Sequence, residues 1–252
     1  MSETVFITGA TSGIGKATAY LFAEKKHRLV ICGRREDRLQ EIARELSAKT
    51  EIHYLCFDVR NYQSVNTSIA SLPSDFSKIA ILINNAGNAH GLAPIHEGEV
   101  SDWDSMIDIN VKGLLYVTKA LVPNMIVAKN GHIINIGSIA GKEVYPNGNV
   151  YNASKFAVEA LGKGMLMDLN PYGIRVSNIN PGLVATEFSL VRFKGDAHRA
   201  DNVYKGYQPL TAEDIAETIY WIVSRPPHIN ISDLTILPTA QASATIVNKK
   251  AN

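Results

Sequence analysis

The stretch Thr8-Gly9-Ala10-Thr11-Ser12-Gly13-Ile14-Gly15 follows a short apolar run and opens a helix-like segment. Its glycines permit a tight turn, a close approach of backbone to ligand, and close packing of helix on strand. The N-terminus of the next helix offers unpaired N–H groups and a positive dipole end to a phosphate. A tight turn without a ligand is the alternative. The stretch predicts a strand–turn–helix unit that binds phosphates through Gly9, Thr11, Ser12, Gly13, Ile14 and Gly15.

Short apolar runs alternate with longer helix-like segments along the chain. Such runs are typical of parallel strands that are buried on both faces. They predict strands at 4–8, 28–32, 51–57, 79–84, 132–136, 174–180 and 234–237. Helices are predicted at 13–26, 36–48, 62–71, 101–128, 150–170 and 212–224. This order predicts one α/β domain over residues 1–252, a doubly wound, Rossmann-type, seven-stranded parallel sheet with helices on both faces.

Composition excludes several classes of function. The net charge of +1 gives no basic excess, so neither nucleic acid nor an anionic membrane is an expected partner. The 7 histidines are scattered without metal-ligand spacing, and we expect no metal. The two cysteines, Cys32 and Cys56, are expected to be buried, reduced thiols. No signal peptide and no apolar run of about 20 residues is seen, so a cytoplasmic protein is expected.

The motif Tyr151-Asn152-Ala153-Ser154-Lys155 places a tyrosine and a lysine four residues apart. On a helix, these two side chains share a face. A free tyrosine has a pKa of about 10, and a nearby positive charge lowers that value. The spacing therefore predicts a tyrosine that exchanges protons near neutral pH. A solvated helix face is the alternative.

Together these motifs resemble the short-chain dehydrogenase/reductase family over essentially the whole chain. The matching positions are Thr8, Gly9, Gly13, Gly15, Asn84-Asn85-Ala86-Gly87, Asn110, Ser138, Tyr151, Lys155, Pro181-Gly182 and Thr186. The resemblance implies a catalytic set of Asn110, Ser138, Tyr151 and Lys155. It further implies cofactor contacts at Asp58, Val59, Asn85, Ala86, Gly87, Tyr151, Lys155, Pro181, Gly182, Val184 and Thr186.

The end of the second strand predicts the choice of cofactor. NAD-preferring proteins of this type carry an acidic residue there, whereas this chain has Gly33 followed by Arg34 and Arg35. Two arginines would attract a 2′-phosphate, so NADP is the predicted cofactor. The alternative is that both arginines are solvated or pair with Glu36 or Asp37.

The resemblance assigns a role to each catalytic residue. Tyr151 would exchange a proton with the substrate oxygen, and Lys155 would lower the pKa of Tyr151 and hold the nicotinamide ribose. Ser138 would donate a hydrogen bond to the substrate oxygen. Asn110 would hold a water that relays protons. Asn110 as a helix pin and Ser138 as a turn cap are alternatives.

Two segments narrow the substrate. Residues 186–196 and 237–242 are similar to those of the NADP-dependent 3-hydroxy acid dehydrogenases, a group that includes serine and allo-threonine dehydrogenases and malonic semialdehyde reductases. The implied substrates are small 3-hydroxy acids. Because a guanidinium can grip a carboxylate with two hydrogen bonds, Arg192 is the predicted clamp, with Lys194 as a second choice. The alternative is that Arg192 packs at a subunit interface or simply faces water.

Other expectations complete the substrate site and assembly. Tyr145 and Asn147 are expected to line the pocket, with Ser138, Tyr151 and Arg192, and the irregular segment 187–209 is expected to be a substrate loop. The resemblance implies a homotetramer, or failing that a dimer, that forms through helices 101–128 and 150–170. A reductase of the same family with another carbonyl substrate, or a non-catalytic NADP-binding protein, remains an alternative function.

Overall fold

A seven-stranded, all-parallel sheet forms the centre of the computed structural model, which describes residues 3–250. The strands are β1 Thr4–Thr8, β2 Arg28–Gly33, β3 Ile52–Cys56, β4 Ile79–Asn84, β5 Gly131–Ile136, β6 Ile174–Pro181 and β7 Asp233–Ile236. They lie in the order β3-β2-β1-β4-β5-β6-β7. All seven predicted strands are present, and the predicted fold class is confirmed.

Helices cover both faces of the sheet. They are α1 Gly13–Glu24, α2 Glu36–Leu46, α3 Tyr62–Ala70, α4 Val100–Ile107, α5 Leu114–Ala128, α6 Asn149–Leu169, α7 Phe188–Arg192, α8 Ala197–Val203 and α9 Ala212–Val223. The buried apolar residues of α1, α2 and α9 join one core cluster, and those of α3, α5 and α6 join a second. The sheet therefore separates two cores.

Alternation along each strand connects the sheet to these two cores. In β1, Val5 and Ile7 enter the first cluster and Phe6 enters the second, and all three side chains are fully buried. Successive side chains of a strand point to opposite faces, so a strand covered on both sides is apolar at every position. This explains the continuous apolar runs in the sequence.

The order of the strands creates the functional cleft. From β1 the chain builds outward through β2 to β3, and then returns to place β4 on the other side of β1. Helices leave these strands on opposite faces, which opens a crevice at the carboxyl ends of β1 and β4. The glycine-rich turn after β1 lies at this crevice.

The predicted continuous helix at 101–128 is interrupted. Residues Asp108–Gly113 form one π-helical turn between α4 and α5, and Asn110 lies within that turn. A π-helical turn adds a residue to a helix and redirects its neighbours, and apolar periodicity does not reveal it. The turn brings Asn110 to Ser154 and to the neighbourhood of Lys155.

The predicted loop at 187–209 contains the two short helices α7 and α8. The side chain of Asp196 caps α8 by accepting a hydrogen bond of 3.0 Å from the N–H of Arg199. Tyr204 donates a hydrogen bond of 2.8 Å to the carbonyl of Val184. Helices of five and seven residues contain too few apolar positions to give a periodic signal, so the sequence-based prediction of an irregular segment was wrong.

The two cysteines differ in their environment. Both are free thiols, and Cys32 in β2 is buried as predicted. Cys56 is exposed, so the prediction that it is buried was wrong. Its strand β3 is at the edge of the sheet, where the outer side of the strand lacks a neighbour.

The helical stretch Val100–Ala128 is long and apolar enough to cross a membrane, by length and composition alone. Val117, Leu121 and Met125 on one face of it are buried in the second core cluster. That packing accounts for much of its apolar character, since a helix against a sheet needs an apolar face. Other apolar side chains of the same stretch are exposed.

Two glycines of α6 provide a test of the packing. A Cβ at Gly162 would collide with the amide of buried Asn178, whereas a Cβ at Gly164 meets nothing within 4 Å. We expect Gly162→Ala to lower the free energy of unfolding by about 1–3 kcal/mol through overpacking. Gly164→Ala is the matched control and should raise it by roughly 0.5–1 kcal/mol, because alanine favours a helix. Urea unfolding of both variants measures the difference, and equal effects would refute this account.

Candidate active site

A cleft of about 330 Å³ runs across the carboxyl ends of the central strands. The predicted residues that line it are Gly9, Thr11, Ser12, Gly13, Ile14, Arg34, Arg35, Asp58, Val59, Asn85, Ala86, Gly87, Ser138, Tyr151, Lys155, Pro181, Gly182, Val184 and Thr186. Their order along the cleft, from arginines through the glycine turn to Tyr151, corresponds to the order of phosphate, pyrophosphate and nicotinamide in a dinucleotide.

The glycine-rich turn is held against the end of β4. The hydroxyl of Thr8 accepts hydrogen bonds of 2.9 Å from the N–H groups of Asn85 and Ala86. The Asn85 amide donates back to the carbonyls of Thr8 at 2.9 Å and Gly9 at 3.2 Å. A Cβ on Gly9 would lie 2.9 Å from the Cα of Ala86, and its φ of +67° favours glycine. These contacts keep the floor of the cleft open.

The N-terminus of α1 faces this cleft. Ser12 is the N-cap residue, and its side chain makes no capping hydrogen bond. No acidic residue occurs in the first turn of α1. The first N–H groups of the helix are thus available to an anion, which fits the phosphates of a dinucleotide.

Arg35 marks the other end of the cleft. Its guanidinium donates to the hydroxyl of Thr11 at 2.8 and 3.1 Å and to that of Ser12 at 2.8 Å. It also forms an ion pair of 3.0 Å with Glu187, whereas a pair with Glu36 or Asp37 had been the alternative from sequence. Arginine beside two hydroxyls is a suitable donor set for a phosphate monoester.

Asp58 is held by a neighbouring arginine. Its carboxylate pairs with Arg60 at 2.6 Å. Partial burial raises the pKa of Asp58, but hydrogen bonds from Arg60 outweigh that effect and the pKa lies below the usual value. Asp58 and Val59 both line the cleft, and a contact of Asp58 to an adenine amino group stays a prediction.

Tyr151 and Lys155 are buried on the inner face of α6. The ammonium nitrogen of Lys155 lies 6.0 Å from the centroid of the Tyr151 ring and donates a hydrogen bond of 2.9 Å to the carbonyl of Ile136. Burial lowers the pKa of Lys155 to about 8. Ser138, at the end of β5, lines the same part of the cleft.

The pKa of Tyr151 is shifted in the direction opposite to the sequence-based expectation. Burial raises it above the ordinary value, and the neighbouring phenol of Tyr145 adds to the rise. A hydrogen bond with Ser138 and the positive charge of Arg192 lower it in part. Desolvation disfavours the phenolate more strongly than these protein groups favour it, so proton release requires further positive charge at the site.

Asn110 ties three segments of the site together. Its Oδ1 accepts a hydrogen bond of 2.9 Å from the N–H of Asn88, and its Nδ2 donates to the carbonyl of Asn88 and to the hydroxyl of Ser154, each at 2.9 Å. A Cβ on Gly87 would lie 3.0 Å from Oδ1 of Asn110 and 3.6 Å from Nζ of Lys155. Glycine at 87 thus lets Asn110 and Lys155 approach the cleft.

Arg192 reaches the catalytic tyrosine from helix α7. Its guanidinium carbon lies 5.4 Å from the ring centroids of both Tyr145 and Tyr151. Its Nη2 donates a hydrogen bond of 2.6 Å to the hydroxyl of Tyr145. Arg192 therefore packs against Tyr151, and the alternative that it simply faces water is wrong.

A second cavity of about 210 Å³ continues outward from Tyr151 and Arg192, and Asn147 lines it. Lys194, the second choice for a substrate clamp, pairs there with Asp102 at 2.9 Å. A lysine neutralised by its own carboxylate is a weak ligand for a second anion. Arg192 is the better placed of the two residues.

Comparison with known proteins agrees with this geometry. The family model of short chain dehydrogenases matches residues 3–196. The chain belongs to the short-chain dehydrogenase family. It is 45% identical over 241 residues to the NADP-dependent 3-hydroxy acid dehydrogenase YdfG of Shigella flexneri, covering 95% of this chain and 96% of the relative.

Two further members of the family are similar over nearly their whole length. Sulfoacetaldehyde reductase of Chromohalobacter salexigens is 44% identical over 243 residues, covering 96% of each chain. A solved structure described as the closed form of serine dehydrogenase complexed with NADP+ superposes with a TM-score of 0.92 at 43% identity. It covers 98% of this chain and 100% of the solved one. The predicted family is confirmed.

Pro181 and Gly182 are predicted cofactor contacts, and in the structure Pro181 ends β6 and Gly182 follows. A Cβ on Gly182 would collide with the side chain of Gln241, whose Oε1 accepts a hydrogen bond of 2.9 Å from the N–H of Leu183. The hydroxyl of Thr186 accepts a hydrogen bond of 3.2 Å from the N–H of Phe188. This wall is built by backbone groups and buried amides.

A polar network lies behind Ser138. Asn180 Oδ1 accepts a hydrogen bond of 3.2 Å from the N–H of Ser138, and its amide donates to Glu159 at 3.3 Å and to Asp233 at 3.0 Å. Lys142 pairs with Glu159 at 2.7 Å and also contacts Asp233. The network orients the backbone at Ser138.

Several residues of the site escaped the sequence analysis. The most important are Glu187, Arg38, Phe188, Ser154, Asn180 and Glu159. Arg38 follows Arg35 by three positions on α2, and that helical spacing could have identified it. Glu187 follows Thr186 directly, but its pairing with α2 spans 152 residues of sequence and has no local signal.

The network also predicts a pH dependence of stability. Partial burial raises the pKa of Glu159, but hydrogen bonds from Lys142 and its other partners lower it from 4.5 to about 2. The unfolded chain therefore takes up a proton as the pH falls below about 4.5, while folded Glu159 stays ionised down to about 2. The stability from this carboxylate is fully present above pH 5 and is lost as the pH falls toward 2.

Urea unfolding between pH 6 and pH 3 measures this dependence. We expect wild-type protein to lose stability more steeply than Glu159→Gln. Glu217→Gln removes an exposed glutamate that has no ion pair within residues 3–250, and it should follow the wild-type slope. Parallel slopes for wild type and Glu159→Gln would contradict the account.

Proposed function

We propose that this chain is an NADP-dependent oxidoreductase that interconverts small 3-hydroxy acids and their 3-oxo acids or semialdehydes. The single observation that carries the substrate class is the position of Arg192 beside Tyr151, with their groups 5.4 Å apart. If the substrate hydroxyl contacts Tyr151 and Ser138, an anionic group of the same substrate reaches Arg192 only when a few bonds separate it from that hydroxyl. The names of the relatives, which refer to a 3-hydroxy acid and to serine, agree with this class.

The residues of the pocket supply the proton chemistry. Tyr151 as phenolate accepts the proton of the substrate hydroxyl in oxidation, and as phenol it returns a proton to the substrate oxygen in reduction. Ser138 donates to the substrate oxygen and stabilises the charge that develops there. When bound, the nicotinamide of NADP accepts the hydride, and its positive charge favours the tyrosinate that burial alone disfavours.

Lys155 and Asn110 complete the proposed site. Lys155 is buried with a pKa near 8, so its ammonium is a strong but adjustable donor beside Gly87 and Tyr151. It would hold the ribose hydroxyls and add positive charge near Tyr151. Asn110 keeps its amide bonded to Asn88 and Ser154, and would hold a water that carries protons from Lys155 toward solvent.

NADP is favoured over NAD by the chemistry at the end of β2. Arg35, with the hydroxyls of Thr11 and Ser12, presents charge-assisted donors for a 2′-phosphate. Arg34 lines the same part of the cleft. The relatives named above are described with NADP in two cases.

A second candidate substrate is a sulfonate. One relative is described as a sulfoacetaldehyde reductase, and its substrate also carries an aldehyde close to an anion. A guanidinium can donate to a sulfonate as well as to a carboxylate. Arg192 supports both candidates equally, so substrates of both kinds belong in the first assay.

We also propose a cytoplasmic homotetramer. Two helices that cover one face of the sheet carry exposed apolar side chains. Val127 at the end of α5 is 85% exposed and Met167 in α6 is 75% exposed, with Leu115 and Phe156 partly exposed beside them. Exposed apolar surface of this kind is typical of a subunit interface.

Changing Tyr151 tests the chemistry. We expect Tyr151→Phe to lower turnover at least about 100-fold, because the general acid–base is lost, while NADP still binds. Absorbance of the reduced nicotinamide follows turnover, and titration of protein fluorescence follows binding. Tyr172→Phe removes a hydroxyl from an exposed tyrosine and should leave both unchanged. Full activity of Tyr151→Phe would refute the mechanism.

Changing Arg192 tests the substrate class. The panel contains L-serine, D-serine, L-allo-threonine, 3-hydroxypropionate, 3-hydroxyisobutyrate and sulfoacetaldehyde, with 1,3-propanediol as the uncharged analogue. We expect Arg192→Ala to raise KM for the anions roughly 10- to 100-fold and to leave KM for the diol unchanged. Arg199→Ala, also on the outer cavity, is the control. An equal effect on the acids and the diol would refute the proposal that Arg192 binds the substrate carboxylate.

The assembly has its own test. We expect Phe156→Glu combined with Met167→Glu to lower the molar mass measured by light scattering from a tetramer to a dimer or monomer, since buried charges oppose association. Ile95→Glu places a charge at another exposed apolar position and should not change the mass. A wild-type monomer would refute the proposal.

A further inference from the structure

Glu187 is the only carboxylate that pairs with Arg35 and Arg38 within residues 3–250. Its Oε2 lies 3.0 Å from Nη1 of Arg35, and its Oε1 lies 2.8 Å from Nη1 of Arg38. Partial burial raises the pKa of Glu187, but hydrogen bonds from Arg38 and Arg35 outweigh it and hold the pKa below the usual value. An ionised side chain of the protein itself therefore occupies the donors that a 2′-phosphate would use.

The same residue stands at the start of helix α7. Its carbonyl accepts a hydrogen bond of 3.0 Å from the N–H of Val191, while its carboxylate makes no capping bond to the helix and reaches to α2 instead. The preceding residue, Thr186, is one of the predicted cofactor contacts. Glu187 thus joins the arginine cluster to the segment beside the reacting atoms.

Helix α7 carries two residues of the catalytic pocket. The ring of Phe188 lies 5.7 Å from that of Tyr151, and Arg192 lies over the same tyrosine. Five residues of helix span only about 7.5 Å. A shift at the Glu187 end is therefore transmitted directly to Phe188 and Arg192.

Other contacts keep the segment in place when Glu187 is released. Ser189 and Tyr204 are hydrogen-bonded at 2.7 Å, and Lys194 pairs with Asp102 at 2.9 Å. The first contact lies near the start of α7, where Tyr204 also donates to the carbonyl of Val184, and the second lies just beyond the end of the helix. Within residues 3–250, Glu187 makes the ion pairs that join the start of α7 to Arg35 and Arg38, so its release removes this link while the other contacts keep the segment attached.

A phosphate competes well for this cluster. A phosphate monoester carries about −1.5 to −2 charges at neutral pH, against −1 for a carboxylate, and its oxygens match the donors of guanidinium. The 2′-hydroxyl of NAD is neutral and cannot replace a carboxylate on two arginines. Only a cofactor with a 2′-phosphate offers a favourable exchange.

We propose that Glu187 is a specificity-determining residue whose carboxylate exchanges with the cofactor's 2′-phosphate for Arg35 and Arg38, and that this exchange frees the N-terminal end of α7. The inference rests on the proposed use of NADP. Only NADP supplies the two arginines with a new anionic partner. NADP therefore releases the N-terminal end of α7, whereas Glu187 still holds that end when NAD is bound.

Binding measurements with Glu187→Gln test the exchange. The variant keeps the shape of the side chain and removes the competing charge. We expect it to bind NADP roughly threefold to tenfold more tightly than wild type by calorimetry, and to bind NAD unchanged, since exposed ion pairs contribute modestly. The gain should shrink in about 0.5 M salt because screening weakens exposed pairs. Glu213→Gln removes an equal charge from an exposed position on α9 and should change neither affinity.

Two results would overturn the exchange. Unchanged or weaker NADP binding by Glu187→Gln would show that the carboxylate does not compete. An equal gain in NADP affinity from Glu187→Gln after Arg35→Gln and Arg38→Gln would show that the effect does not pass through the arginines. If wild type binds NAD as tightly as NADP, the proposed preference for NADP is refuted. That outcome is distinct from the two above.

Hydrogen exchange tests the release of α7 without any turnover. The probe is adenosine 2′,5′-bisphosphate, with adenosine 5′-monophosphate as the control, because neither contains a nicotinamide that could contact Thr186. We expect the bisphosphate to speed amide exchange in residues 188–196 of wild type. Glu187→Gln should exchange fast from the start and not respond. Unchanged or slower exchange in wild type would overturn the release of α7.

Discussion

The hydrogen bonds between Thr8 and the Asn85-Ala86 turn are the constraint on which the rest of the site depends. One hydroxyl accepts two backbone N–H groups, and one amide returns two bonds to the glycine turn. These bonds join the ends of β1 and β4, the point where the chain stops adding strands on one side of β1 and begins adding them on the other. These hydrogen bonds keep the cleft open and fix the position of Gly87, and so of Lys155 beside it, along the cleft.

Burial of polar groups has two effects at this site. It orders the catalytic side chains, because buried donors must find acceptors: Lys155 binds the carbonyl of Ile136, and Asn110 binds Asn88. It also shifts proton affinities in opposite directions, lowering the pKa of Lys155 and raising that of Tyr151. In the proposed mechanism, the positive charge of the bound cofactor offsets the effect of burial on Tyr151.

Charge at the adenosine end is connected to geometry at the substrate end. Arg35 and Arg38 meet Glu187, Glu187 begins α7, and α7 carries Arg192 to Tyr151. Each ion pair is exposed and individually weak. Their importance comes from where they lie. A ligand can replace one partner of a weak, exposed ion pair, whereas separating a buried ion pair costs much more free energy.

The sequence by itself determined the fold class and the family, and it predicted the catalytic set, because these depend on local patterns. Buried parallel strands are apolar runs, and the glycine turn needs its residues at fixed spacing. Only tertiary structure decided the π-helical turn at Asn110, the exposure of Cys56, the two helices in 187–209 and the pairing of Glu187 with α2. It also decided the upward shift of the pKa of Tyr151. Packing, desolvation and contacts between distant segments set these features, and none of them leaves a periodic trace in the chain.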